Sequence, residues 1–586
     1  MIKNRCRRVS GLGESQAVDC IAATSRGAEA GGSAGGGGGG GGEGNHRAGG
    51  VGVGGVSAAR RVMTRRQHGH RNSLLSILTL ALCGLILMGT LVGGAAGQAR
   101  DRAQLGVGEV PRAVVCPPPN EITPCTCRVI TKGKDPGLDI VCDHADEKHI
   151  TNAMGILKKR PFTIYWMKFR NCNLPRLPDY LFLGMDVRHL HIIRSNVSHI
   201  DRSSLSALGS NLKALDLANN QIRRVPTEAL SALKELTFLN LNYNQIELIG
   251  SSAFQGMDVL ERLSLYENQI DHIDENAFKG IGRKLNRLNL GKNKLDKIPT
   301  DTFHPLVNLE VLDLHENHIH HINDGAFEGL HKLDMLKLEH NLISTIQADV
   351  FKDLTVLNSL NLEHNHITNL SVYSFRGMED NLEWLELGHN RLDHIPSHAL
   401  AKLHNLRQLD LDSNKIGIVE EDAFRGFGDT IKYILLDKNH IQKIPELSFI
   451  DLHSLEWLKL SHNDLKQLTE DSVQPILDTL THIDISNNPL ICNCDLLWLR
   501  QWLANPNNAD NVESIDEHRC TSSDGKAHAI KNLPFEEFNC PRNVAPNLQT
   551  EYGRKAQSTS SAVLPKFSLL LHIASFVVIA IKTFSW

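Results

Sequence analysis

Three histidines recur at near-constant spacing, His340, His364 and His389, with Glu339 and Glu363 directly ahead of two of them. Imidazole beside carboxylate is the donor set of a transition-metal site, and imidazoles that stack near neutrality can also sense pH. The chain carries 29 histidines in all, most of them among polar residues. The simpler reading is therefore a solvated surface, with no metal and no cofactor. A second set of residues offers binding rather than catalysis. Trp384, Tyr433 and Trp457, with Phe238, share one phase of the same spacing in a chain that is only 5% aromatic. Large aromatic side chains on an exposed face are the usual anchors of a protein interface; the alternative is that they pack on one another. Cys172 has no His/Asp pair placed to activate it, and reads as an inert buried thiol. No serine triad, phosphate loop, metalloprotease helix or paired acid site stands in a credible context, so the chain reads as a non-enzyme.

These residues are positioned by a repeated frame. From Leu212 to Leu490 the pattern L-x-x-L-x-L-x-x-N-x-L returns every 24 or 25 residues, twelve times, beginning LKALDLANNQI. Two degenerate copies start at Ile164 and Val187, for fourteen in all. Within each copy x-L-x-L-x alternates as a strand with one buried face. A single copy cannot stand alone. Roughly seven buried side chains gain about 2 kcal/mol each, less than half the roughly 1.5 kcal/mol per residue that ordering 24 residues costs. Stacked copies share their leucines and pair their strands in parallel. The asparagine of the frame, from Asn220 to Asn488, falls where the chain leaves the sheet. An inward amide there can donate to and accept from neighbouring turns, so losing one should cost about 1–3 kcal/mol. A second column, Phe254, Phe278, Phe303, Phe327, Phe351, Phe375, Phe424 and Phe449 with Leu400 in the same slot, is expected to pack beneath the opposite side.

The period and the two columns resemble the typical class of extracellular leucine-rich repeats. The resemblance implies an α/β solenoid, a horseshoe with a parallel concave sheet and disulfide-bonded caps at both ends. Fourteen strands about 4.8 Å apart make an arc of roughly 60 Å, a surface for a protein rather than a metabolite.

The ends of the frame agree with this. Twelve cysteines are present, and Cys116, Cys125, Cys127 and Cys142 form one group of four ahead of the repeats. Cys492, Cys494, Cys520 and Cys540 form another behind them. Spacing alone leaves three connectivities in each group. Zinc is the other use of four cysteines, set aside because the segment reads as secreted. By resemblance to the caps of such proteins, the bonds are Cys116–Cys127, Cys125–Cys142, Cys492–Cys520 and Cys494–Cys540. In the second cap Asp495 is expected to cap a short helix whose Trp498, Leu499, Trp502 and Leu503 close the last repeat.

The expected organisation is a Gly-rich basic leader (1–72), a signal sequence (73–99), an N-terminal cap (116–160), the repeats (164–491), a C-terminal cap (492–541), a Ser/Thr-rich linker (542–566) and an apolar tail (567–586). Arginines up to Arg71, an apolar run from Leu74 to Val92 and small residues to Ala99 make the signal; an uncleaved signal anchor is the rival reading. Met63 would open a leader of ordinary length, so residues 1–62 are expected to be missing from the mature protein. Small residues at Ser558 and Ser560 ahead of the apolar tail fit attachment of a GPI lipid, preferred over a membrane-spanning tail. Asn196 and Asn369 open the glycosylation acceptors, each read as an outward position just after a strand. The leader carries +7, eleven basic against four acidic residues, which leaves −11 of the net −4 for the rest. An acidic body argues against nucleic acid as the partner.

The caps and the tail together resemble connectin-like and Nogo-receptor-like surface proteins. That resemblance implies a cell-surface recognition or adhesion protein with an extracellular protein ligand or a homophilic partner, held to the membrane by its lipid. A secreted non-catalytic carrier subunit and an innate-immune co-receptor are the alternatives.

Overall fold

The computed structural model describes residues 114–541, apart from 134, 161, 506, 507 and 509–514. The leader, the signal, Ser558, Ser560 and the apolar tail lie outside the described residues. One sheet of sixteen strands runs through the rest. Each repeat contributes one strand, from Thr163–Arg170 and Asp186–Ile193 to Trp457–Lys459 and His482–Asp484. They pair in parallel with leucine opposite leucine, as in Leu312, Leu336, Leu360 and Leu385. A one-residue slip would turn each leucine outward, so burial fixes the register.

At the N-terminal end, β1 (Cys125–Lys132) and β2 (Asp135–Asp143) form an antiparallel hairpin, and β2 pairs in parallel with β3 (Thr163–Arg170). The cap is thus a continuation of the sheet. Its length also explains why the strands of the first two repeats have eight residues while the next has three. Long cap strands give the first repeats partners along their whole length. The disulfides are Cys116–Cys127, Cys125–Cys142, Cys492–Cys520 and Cys494–Cys540, which belongs to an oxidising compartment.

Behind the sheet lies one continuous apolar core. The phenylalanine column is buried throughout, with Leu400 in its gap. Successive rings stand 5.9 Å apart at Phe254–Phe278 and 5.7 Å at Phe327–Phe351. The frame asparagines form a ladder. Asn244 donates to Leu217 O in the repeat before it and to Leu241 O in its own, each at 3.0 Å, and accepts from Ile222 N. Cys172 and Ser195 fill the slot in the degenerate repeats: Ser195 Oγ accepts from Cys172 N, and Ser195 N donates to Asn220. The Cys172 thiol is buried, which pushes its pKa up and keeps it protonated.

The last repeat meets a cap that imitates another repeat. Elsewhere the N–H after each strand donates to a carbonyl of the next strand, as Leu460 N does to Asp484 O at 2.7 Å. Ile485 has no next strand, and its N–H goes to Nε2 of the buried His518. Thr521 donates to Leu490 O and accepts from Cys492 N, and Trp498 Nε1 donates to Leu468 O. Trp498, Leu499 and Leu503 of the helix Leu497–Ala504 are buried, as expected. Asp495 is not its cap. A 3-10 turn, Cys494–Leu496, precedes the helix, so Asp495 lies inside that turn and accepts from Asn493 Nδ2, while Leu496 takes the cap position.

Candidate binding surface

Because each strand pairs in register, residues one repeat apart become neighbours on the concave face. One such row runs Trp384, Gln408, Tyr433, Trp457, His482. The Trp384 and Tyr433 rings are 6.4 Å apart, Tyr433 and Trp457 6.0 Å, and Trp457 and His482 4.4 Å. All are half-buried. The three aromatics do pack along one another, and they still present their outer sides as one contiguous patch. Phe238 lies in the same row but opposite Ala214 and Arg262, with Arg287, Val311, Met335 and Ser359 between it and Trp384. It is not part of the patch. Towards the N-terminal end Trp166 stacks on His189 at 5.5 Å, with Lys132 Nζ 4.1 Å over its ring. Burial, then the nearby cations, push the His189 pKa down to about 4, so this ring is neutral.

Alongside the aromatic patch, from Glu339 to Asp437, the face is acidic. Glu339, Glu386, Asp410 and Asp437 all have raised pKa values, in each case chiefly because they are buried. Glu339 is pushed up to about 7, with Asp313 adding to the effect of burial. Asp410 is also at about 7, with the charges of Asp412, Glu363 and Asp437 adding to burial. Carboxylates at this density cannot all ionise freely.

The three histidines sit at the edge of this acidic region. In every repeat the residue before the asparagine slot is left-handed, from Asn171 to Asn487, with φ of 50–56°. His340, His364 and His389 occupy that position in successive repeats, and their rings stack at 4.1 and 3.9 Å. Burial, then the rings on either side, push the His364 pKa down to about 4. Glu363 Oε1 is 3.3 Å from His364 Nε2, and Asp412 Oδ2 is 3.6 Å from His389 Nε2. Of the two glutamates singled out in the sequence, only Glu363 joins the rings. Glu339 lies among Asp313 and His315, with its buried Oε2 lacking a hydrogen-bond partner. Asp412 was missed by sequence reasoning. It shares the frame position of Glu363, but Gly388 in the intervening repeat interrupts the column, and only the frame position could have signalled it.

Asn196 is half-buried, its Oδ1 accepting from Leu174 N at 2.8 Å and its Nδ2 donating to Asn173 at 3.0 Å. Asn369 is exposed and begins the two-residue strand Asn369–Leu370, beyond the asparagine slot rather than directly after the concave strand.

The stacked frame with its asparagine ladder defines the class, and the chain belongs to the leucine-rich repeat family. The Leucine rich repeat profile matches residues 186–246, 240–282, 283–343, 336–380, 380–428 and 429–490. Among solved structures, the chain is similar to that of a TLR13–ssRNA13 complex, with 25% identity, a TM-score of 0.56 and 68% of this chain covered. It is also similar in fold to the glycosylated Toll–Spatzle complex of Drosophila, with 22% identity, a TM-score of 0.54 and 65% covered. The chain spans 60% and 53% of the lengths of these two. Among the described residues, no helix is long and apolar enough to cross a membrane.

Proposed function

We propose that the protein is a cell-surface recognition or adhesion protein that binds a protein ligand, either a second copy or another chain, through its concave face. The observation that carries this reading is the contiguous patch of Trp384, Tyr433 and Trp457 on the concave sheet face. Rigid aromatics bury a large area at little entropic cost, and they dominate binding energy where they cluster. One of the similar structures is a Toll–Spatzle complex, which favours a protein ligand; the other contains single-stranded RNA. Here the carboxylates of Glu363 and Asp412 on the same flank would oppose a phosphate backbone, which favours protein over nucleic acid. A repeat scaffold without a catalytic constellation in its sequence is read as non-catalytic. In this reading residues 73–99 direct secretion, a lipid at Ser558 or Ser560 holds the protein at the outer surface, and Asn196 and Asn369 carry glycans.

A cell-mixing assay tests the proposal. Non-adhesive cells displaying the protein are mixed with differently labelled cells that lack it, with and without a phospholipase that releases GPI-linked proteins. Clustering of expressing cells alone, dispersed by the lipase and lost in Trp384→Ala/Trp457→Ala, supports homophilic adhesion through the patch. Mixed clusters indicate a ligand on the second cell. Cells that stay single and a lipase that frees nothing overturn both adhesion and anchor, and leave the secreted carrier.

A further inference from the structure

We propose that Glu363, His364, His389 and Asp412 form a binding site for a divalent first-row transition-metal ion such as Zn²⁺. The sequence alone favoured surface histidines and no metal. The stacked geometry changes that reading, for four separate reasons.

First, donor atoms converge. One donor from each of Glu363, His364 and His389 lies within 4.8 Å of the others. The Glu363–His364 and His389–Asp412 donor pairs are 3.3 and 3.6 Å apart. A tetrahedral ion with bonds of about 2.0–2.2 Å separates its donors by roughly 3.3–3.6 Å, the spacing within these two pairs; for both imidazoles to reach one ion, the rings, stacked 12° from parallel, must splay so that their lone pairs converge. Two imidazoles with carboxylates suit zinc, copper or nickel; calcium and magnesium prefer oxygen alone.

Second, like groups meet in the column here. Where charged residues adjoin earlier in the left-handed column they are complementary, as Lys292 and Glu267 are at 3.0 Å. At residues 340, 364 and 389 three imidazoles meet one another instead, and a stack of like groups gains from a cation at its edge.

Third, Gly388 keeps the space between the carboxylates open. A Cβ there would run into the Asp412 carboxylate and lie 3.3 Å from Asp410 Oδ1 and 3.4 Å from Glu363 Cγ. A side chain at that frame position would part the two acids.

Fourth, the donors are held yet reachable. The His364 and His389 side chains are each 36% exposed, Glu363 32% and Asp412 14%. Their backbones are fixed by bonds to the next repeat, His364 N to Gly388 O at 3.0 Å and His389 N to Asp412 O at 2.8 Å. Lys438 Nζ, 3.6 Å from Asp412, is the cation that the metal would displace. His340 stacks on the far side of His364 and stands outside the four.

The test uses the full chain, made in a secretory host, purified in detergent and stripped with a chelator. Zn²⁺ is titrated calorimetrically, and Cu²⁺ is added as a paramagnetic probe. The expected result is one saturable high-affinity ion per chain, with nitrogen hyperfine coupling from two imidazoles. His364→Asn and His389→Asn should each weaken it tenfold or more; asparagine tolerates the left-handed backbone, so the fold is kept. Gly388→Ala should weaken it with every donor still in place. His462→Asn, in the same column three repeats beyond His389, is the control and should leave the affinity unchanged. No saturable binding, coupling from fewer than two nitrogens, or equal loss in His462→Asn overturns the proposal.

Discussion

Replacing Asn341 by alanine isolates the energetic role of one rung of the ladder. The side chain is 3% exposed. Its Nδ2 donates to Leu314 O at 3.1 Å, Leu338 O at 3.0 Å and Glu339 O at 3.3 Å, and its Oδ1 accepts from Ile319 N at 3.1 Å. After truncation each carbonyl keeps another donor: Asn317 at Leu314 O, Asn365 at Leu338 O, and the Glu316 N–H at Glu339 O. The Ile319 N–H, in a fully buried residue, loses its acceptor. One orphaned buried donor costs about 1–3 kcal/mol, so the expected loss is about 2 kcal/mol. Repeat arrays open locally, so the loss should appear as roughly 30-fold faster amide hydrogen exchange in peptides covering 311–346, with distant repeats unchanged. Asn341→Asp separates donor from acceptor. It still serves Ile319, but it turns a carboxylate towards carbonyl oxygens, and the cost at neutral pH should exceed that of alanine. Its folded pKa is then raised, so stability returns as pH falls towards the unfolded value of about 3.9. Exchange in Asn341→Ala within threefold of the parent would refute the argument that the ladder is energetically closed by these amides.

Three further outcomes are expected. Glu339→Gln should stabilise the fold by about 3 kcal/mol above pH 7 and leave it unchanged below pH 4.5. The sign follows because the folded carboxyl, raised to about 7, holds its proton where the unfolded one has lost it; denaturation at pH 8 and pH 4 checks it. Trp457→Ala should weaken ligand binding tenfold or more with an unchanged circular dichroism spectrum, while Phe238→Ala, six strands from Trp384, should change binding little. Cys494→Ser removes the bond to Cys540 and should cost about 2–5 kcal/mol, read as lower secreted yield and a lower unfolding temperature.

The parts legible in the sequence are those that repeat. Asn341 and Phe327 could be placed because one frame fixes their phase, and the structure buries both. The cap disulfides came from family likeness, since four cysteines alone permit three pairings. What could not be read is what depends on neighbours 24 or more residues away. Asp412 and Gly388 look like ordinary polar-loop residues until stacking brings Asp412 to His389. Glu339 precedes His340 as Glu363 precedes His364, yet the first lies among Asp313 and His315 and the second beside its histidine. Asp495 has the composition of a helix cap, and the 3-10 turn that displaces it leaves no trace in residue type. The hairpin β1–β2 was hidden because its strands sit outside the frame.

His518 has a consequence for how such a molecule can change in length. Its ring supplies the one acceptor that a further strand would have supplied to Ile485, so the second cap fits the end of any complete repeat. Deleting or duplicating a whole frame unit moves this joint without altering it, whereas gaining or losing a few residues breaks the ladder on both sides. The reach of the concave face is therefore quantised, changing in steps of about 4.8 Å, one strand at a time.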